Sequence, residues 1–550
     1  MTATASVATE RLCLDGESLT IDDVVRFARR GGTAALSPKA AERVDAARAL
    51  RRELVEREIP IYGVTTGFGD SANRQVGPAR APQLQRSVVR HLGAGTGPIA
   101  SPEVTRATML LRANCLAKGN SGVRIELIER LLFLLNNDAL PRIPERGSCG
   151  ASGDLVPLSY IASLIVGERV EVLLGDRVVD SREALAELGL EPLELEAKEG
   201  LGLVNGTSFM SAFASLTVHD SERLALTSDL LTALASEALR GNRGHFNAFL
   251  FEAKPHPGQI ESARIIREIL AESALALDSE EIFADQSLNG EPFLELDRQV
   301  QDRYSIRCAP HINGALRDTL EWLHRWVEIE INSSDDNPLF DVEGRRAQSG
   351  GNFYGSHIAQ GMDALKVALA NLCDLMDRQL ELLVDEKFNA GLPPNLIPRF
   401  EPDDPELGLH HGFKGMQLSC SAMTAEAMPL SAPASIHSRS TEAHNQDKVS
   451  MGAIAARDAR SIVELAESIA AIHLIASCQA LELRGIDRAS STARAVHELV
   501  RSRIDFLDRD RRLDLDIREA AELIGSGELA AAAGLGKPPR HYDPGLRRAI

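Results

Sequence analysis

The chain has 550 residues, 44% hydrophobic and 25% charged, a globular composition that argues against a disordered chain. Its 60 Lys and Arg against 79 Asp and Glu leave a formal charge of −19, which speaks against the basic face of a nucleic-acid binder. No apolar run reaches the roughly 18 residues of a membrane span; residues 462–483 come nearest, interrupted by Glu464, Glu467 and His473.

Residues 1–16 read as a flexible tail, being small, polar and aperiodic. The start, MTATASVATER, lacks the basic flank and apolar core of a secretory signal. A region of mixed structure is expected over 17–206. Within it, Ser101-Pro102-Glu103 is a cap followed by Pro at the first helical position, predicting a helix through Met109 and Leu116. Apolar residues at 123, 127, 128, 131, 134 and 135 predict a second helix, ended by Asn136-Asn137-Asp138. Val170-Glu171-Val172 and Arg177-Val178-Val179 flank Gly175-Asp176 and predict a hairpin. From 207 to 550 the pattern is that of a long-helix bundle, with periodic segments near 207–240, 311–331, 356–386, 416–430 and 450–484. They break at Gly, Pro and Asn clusters such as 332–338 and 391–394. The reading is mainly α. The Ala, Gly and Leu of 527–536 and the basic 537–548 look peripheral.

Seven cysteines, odd in number and widely spaced, predict neither a disulfide framework nor a CxxC metal pair, and suit a reducing cytoplasm. His410-His411 does not predict a metal site, because adjacent helical residues diverge by about 100° and no further ligand accompanies them. The glycine-rich 93–97 lacks the preceding strand of a phosphate loop and reads as a helix break.

The segment 147–154, GSCGASGD, holds three glycines and must be a tight loop. It is one residue short of the G-x-S-x-G nucleophile elbow and lacks the lysine of a P-loop. A glycine-rich turn without chemistry is one reading. The other is chemical. In a strained Ala-Ser-Gly turn, the Gly153 nitrogen can attack the Ala151 carbonyl; loss of water and dehydration of Ser152 then leave an electrophilic methylidene-imidazolone ring (MIO).

With that turn in context, the sequence resembles the MIO-dependent ammonia-lyases and aminomutases acting on histidine, phenylalanine and tyrosine. The resemblance runs from about Asp22 to Arg484. It is carried by YGVTTGFG from Tyr62, GASGDLVPLSY from Gly150, VNGTS from Val204, PHPGQ from Pro255 and QDRYSIR from Gln301. Asp336-Asn337-Pro338, Gly350-Gly351-Asn352-Phe353 and His444-Asn445-Gln446-Asp447 complete it. The family fold is the histidine ammonia-lyase/fumarase-like long-helix bundle. The resemblance implies a homotetramer with sites shared between chains, a small aromatic amino acid as substrate, and no metal or nucleotide.

The resemblance puts Ala151, Ser152 and Gly153 in the ring and makes Tyr62 the base for the β-proton. A phenol of pKa near 10 must then be lowered by its site. Arg307 would hold the substrate carboxylate, with Tyr304 and Gln301 lining the site and orienting amine and ring. Asn205 and Asn337 would bond the carboxylate or the imidazolone carbonyl, Phe353 would pack beside the ring, and Gln446 and Glu442 would face the amine and inner pocket.

For the substrate, His91-Leu92 stands where phenylalanine lyases usually have Phe-Leu and tyrosine-active members His-Leu. An imidazole can partner a buried phenol and a phenyl ring cannot; a histidine satisfied by backbone is the plainer alternative. Lys414 and Gln446 resemble the phenylalanine and tyrosine branch, where histidine lyases usually carry Met and Glu. Glu442 is the phenylalanine-lyase choice, so activity on both substrates is open. The expectation is a tyrosine, and also phenylalanine, ammonia-lyase. A 2,3-aminomutase is the alternative, and a catalytically dead relative is disfavoured by the intact motifs.

Overall fold

A computed structural model describes residues 11–536. The chain is mainly α and groups into two compact units. The first takes the chain up to His219 with Leu323–Asp363 and Pro433–Arg460; the second takes Asp220–Trp322, Ala364–Ala432 and the chain from Ser461. Residues 1–10 of the expected tail and the basic 537–548 lie outside the described residues.

The periodic segments form helices with ends close to those expected: Ser208–Ala238, Ala309–Glu330, Ser356–Val384, Lys414–Leu430 and Gly452–Arg484. Each is rich in straight-chain and Ala residues, which lose little side-chain freedom in a helix. Gly452–Arg484 is long and apolar enough by length and composition to cross a membrane, but most of its apolar window is buried inside the protein, as in a core helix.

In the first unit, Ser101 accepts a hydrogen bond from Val104 N (3.3 Å) and caps Pro102–Ala117. That helix packs on Ile21–Arg30 and Ile125–Asn136 and is buried on nearly every face from Val104 to Ala117. Ile21–Arg30 is itself started by a capping box between Thr20 and Asp23. The hairpin forms from Glu171–Leu174 and Arg177–Asp180, and Ala139–Pro141 adds a third strand.

Besides the short antiparallel pair of Leu339–Asp341 with Arg346–Gln348, two further strand pairs were not anticipated. Arg11–Leu14, assigned by sequence to the tail, pairs in parallel with Thr33–Leu36 and buries Leu14. Thr96–Ile99, beginning inside the glycine-rich segment read as a helix break, pairs antiparallel with Pro144–Arg146. Strands this short carry no decisive periodicity, and their partners are distant in sequence. The second pair positions the site: Pro144–Arg146 leads into the 147–154 loop, which ends at helix Leu155–Val166.

The second unit has a buried polar centre on Asp229, which accepts from Arg317 Nη2 (2.5 Å), Asn313 Nδ2 (2.6 Å) and Ser262 Oγ. Helices Pro257–Leu270 and Ser491–Arg501 pack in the same unit.

Candidate active site

The Ala-Ser-Gly turn is held in the left-handed region, with φ of 50° at Ser152 between 78° at Gly150 and 75° at Gly153. For a serine this conformation costs on the order of 1–3 kcal/mol and persists only where the surroundings enforce it. Here they do. Gly206 N donates to Ser152 O (3.2 Å), and Asp154 N donates to Gly206 O (2.7 Å). Ser148 Oγ donates to Asp154 Oδ1 (2.9 Å) and accepts from Gly150 N (3.2 Å). A Cβ at position 153 would collide with the Gly206 carbonyl, so the close backbone approach itself requires glycine there.

The turn borders a cavity of about 280 Å³ lined by Tyr62, Ala151, Ser152, Asn337, Phe353 and Gln446 among others. Six of the residues singled out from sequence therefore meet at one place. Gln446 Nε2 donates to Ser152 Oγ (3.0 Å), and its Oε1 accepts from Thr441 Oγ1 (3.0 Å). Asn337 Oδ1 accepts from Gly350 N (2.7 Å). Asn205, next to Gly206, is 2% exposed, and its Oδ1 has no hydrogen-bond partner among the described residues. Tyr354, Asn445 and Lys448 also line the cavity and were not singled out, although they sit in or beside the motifs.

Tyr62 Oη accepts from Gly69 N (3.1 Å) and hydrogen-bonds the Asn445 side chain. Burial nevertheless pushes the phenol above its usual pKa, the Glu442 carboxylate pushes the same way, and the two hydrogen bonds only partly oppose this. The lowered phenol expected from sequence is thus not what this chain provides by itself. Desolvation of the phenolate outweighs its hydrogen bonds.

His91 ends helix Ala81–His91, is exposed, and bonds Ser87 O through Nδ1 (3.1 Å), while Leu92 is buried. Glu442 lies close enough for His91 to lower its pKa, although burial and Asp70 together hold it above the usual value. Glu442, Ala443 and His444 all have positive φ (47°, 51° and 69°), a strained run next to Gln446. No propensity rule marks that run in advance.

Gln301, Tyr304 and Arg307 are brought together in the second unit, where they line a cavity of about 640 Å³. Tyr304 is 71% exposed, with the Arg307 guanidinium over its ring at 4.6 Å. Arg307 Nε donates to Asp302 O (3.1 Å). Lys414 is the exposed first residue of its helix and lines neither cavity. His410 bonds Glu406 (3.3 Å), and the His411 backbone N–H donates to Asp510 (2.8 Å).

Sequence reasoning also missed a buried charge network in the first unit. Arg112, fully buried, pairs with Asp335 and donates through Nη1 to Asn205 O (2.6 Å). Asp335 Oδ2 accepts from Thr207 N (2.9 Å), and Cys115 Sγ donates to Oδ1 (2.8 Å). Thr207 Oγ1 lies 2.8 Å from Asp335 Oδ2 and 2.7 Å from Glu330 Oε1. With a single hydroxyl proton, it donates to one of these two carboxylates at a time. Burial pushes the Glu330 carboxyl up to about 7, against the opposing Thr207 hydrogen bond, and Asp154, also buried, is likewise pushed to about 7. Lys198 pairs with Asp336 at 2.5 Å, both fully buried.

A family model for aromatic amino acid lyases matches residues 19–502. The chain is 40% identical over 524 residues to a histidine ammonia-lyase of Gloeobacter violaceus, covering 95% of this chain and 98% of that protein. It is 39% identical over 524 residues to the MIO-dependent tyrosine 2,3-aminomutase of Streptomyces globisporus, covering 94% and 96%. The crystal structure of tyrosine aminomutase from Streptomyces globisporus matches with a TM-score of 0.90 at 38% identity, covering 96% of this chain and 98% of that one. The long-helix fold expected from the motifs is therefore the observed one, and the chain belongs to the aromatic amino acid lyase family.

Proposed function

We propose that this protein eliminates ammonia from an aromatic L-amino acid, L-tyrosine to 4-coumarate in preference and L-phenylalanine to cinnamate as well, using an MIO group made from Ala151-Ser152-Gly153. The observation that carries this reading is the turn: Ser152 in left-handed conformation, Gly153 pressed on Gly206, and both beside a cavity lined by a tyrosine phenol and Gln446. These residues fit the group. Gly206 N–H already donates to the Ser152 oxygen that becomes the ring carbonyl, and the Asn205 side chain has hydrogen-bonding capacity left over. When formed, the ring supplies an electrophile that takes the substrate amine and turns it into a leaving group.

The chain's own residues do the rest. Tyr62 takes the β-proton; its phenol is raised by burial, and the positive charge of an incoming ammonium group has the sign that lowers it. Gln446 holds Ser152 Oγ until that hydroxyl is lost, and then faces the substrate amine. His91, with Nδ1 on Ser87 O, keeps Nε2 for a substrate phenol. Arg307, Tyr304 and Gln301 hold the carboxylate and orient the amine from another copy in a homotetramer. Supporting this are the exposure of Tyr304 at 71% and of the apolar Leu418 and Ile436 at 64% and 71%. Phe353, Asn337 and Glu442 shape the pocket, and Lys414 marks the phenylalanine and tyrosine branch. Seven free cysteines, four of them buried, suit a cytoplasmic setting.

A second reading is favoured by the likeness to the Streptomyces globisporus aminomutase: the same elimination followed by return of ammonia to Cβ. Purified protein given L-tyrosine, L-phenylalanine and L-histidine separately, with chiral chromatography of products, distinguishes the readings. Accumulating 4-coumarate supports the lyase, and β-tyrosine supports the mutase. Elimination from histidine alone would overturn the aryl preference that His91 and Gln446 suggest.

A further inference from the structure

We infer that Arg112 and Asp335 are positioning residues for ring formation, acting through the backbone of Gly206; this rests on the MIO reading above. The Asn205-Gly206-Thr207 peptide is gripped on both sides. Arg112 Nη1 takes the Asn205 carbonyl at 2.6 Å, and Asp335 Oδ2 takes the Thr207 amide at 2.9 Å. Gly206 lies between them so closely that a Cβ there would meet both Arg112 Nη1 and Asp335 Oδ1. On its other side, Gly206 donates its N–H to Ser152 O and accepts from Asp154 N, so its two hydrogen bonds bracket the Gly153 nitrogen. The pair is 0% and 5% exposed by side chain. A buried ion pair contributes little to stability on its own, so its use here is to fix geometry.

The cyclisation needs that geometry. The Gly153 nitrogen bonds to the Ala151 carbonyl carbon and passes its proton to the carbonyl oxygen. The resulting hydroxyl leaves as water with the Ser152 amide proton, giving a C=N bond. The Ser152 α-proton and β-hydroxyl then leave as a second water, giving the methylidene. No oxidant is required, and the chain loses the mass of two waters. A nucleophile as weak as an amide depends on being held against its target, and a displacement of about 1 Å costs on the order of 100-fold in rate.

The test is intact-protein mass and ring absorbance on folded, size-fractionated full-length protein. Arg112→Lys, Asp335→Asn and the paired Arg112→Met/Asp335→Leu are compared with wild type. The pair variant removes both charges together and so avoids leaving one buried and uncompensated. Arg317→Met in the second unit is the control, since it breaks a similarly buried pair with Asp229. The expected result is a fall of about tenfold or more in the cyclised fraction of folded pair variant, a smaller fall for Arg112→Lys, and full cyclisation of folded Arg317→Met. Folded pair variant carrying the complete mass deficit would overturn the inference while leaving the MIO reading standing. Wild type without the deficit would overturn the MIO reading itself.

Discussion

Replacing His91 with Phe is the sharpest probe of substrate choice. In the structure Nδ1 is taken by Ser87 O at 3.1 Å, so this nitrogen carries the proton and Nε2 is left as an acceptor. On the proposed reading the substrate phenol donates to Nε2. His91→Phe removes that acceptor and leaves the hydroxyl against carbon. An unmet buried hydroxyl costs about 1–3 kcal/mol. His91 is exposed in the isolated chain, so the lower part of that range, about 1–2 kcal/mol, is appropriate. The ratio of kcat/KM for tyrosine over phenylalanine should then fall by roughly 5- to 30-fold. Initial rates of 4-coumarate and cinnamate formation measure it directly. In acid, where the ring is protonated and no longer an acceptor, His91 lowers the Glu442 pKa that burial and Asp70 raise, and the same variant removes that positive charge. The Glu442 pKa should rise further, moving any limb of the pH–rate profile that it controls to higher pH. A folded variant with an unchanged substrate ratio would remove His91 from the aryl pocket.

Three other perturbations bear on the turn and its support. Ser152→Ala removes the hydroxyl lost in dehydration and should abolish the second water loss and reduce turnover by about 10³-fold or more; near-normal rates would contradict the ring assignment. Gly153→Ala adds a Cβ against the Gly206 carbonyl at φ 75°. The left-handed backbone alone costs about 1–2 kcal/mol, so a thermal melt should show a lower Tm together with loss of the mass deficit. Glu330 and Asp154 are held near pKa 7 by burial, above the unfolded carboxyl range, so the folded state binds more protons than the unfolded one between about pH 4 and 7. Their contribution to stability is present below the unfolded pKa and is lost as pH rises through about 7. Glu330→Gln should flatten this decline in Tm between pH 5 and 8, and an unaltered slope would mean that Glu330 does not titrate there.

Local chemistry was legible from the chain. The helices Ser208–Ala238 and Ser356–Val384 announce themselves because i, i+4 spacing and the breaks that end it are properties of neighbouring residues. The tight turn at Ala151-Ser152-Gly153 was legible for the same reason, because the glycines in and around it demand a loop. Tertiary structure alone decided the rest. Arg11–Leu14 becomes a strand only because Thr33–Leu36 lies beside it. Arg112 and Asp335, 223 positions apart, meet only once the chain has folded, and they grip a peptide that neither adjoins in sequence. The direction of the Tyr62 shift likewise depends on how much water the fold removes from the phenol, and it opposed the expectation drawn from sequence. Propensity and turn geometry are set within a few bonds, whereas desolvation and long-range pairing exist only when distant segments are packed together.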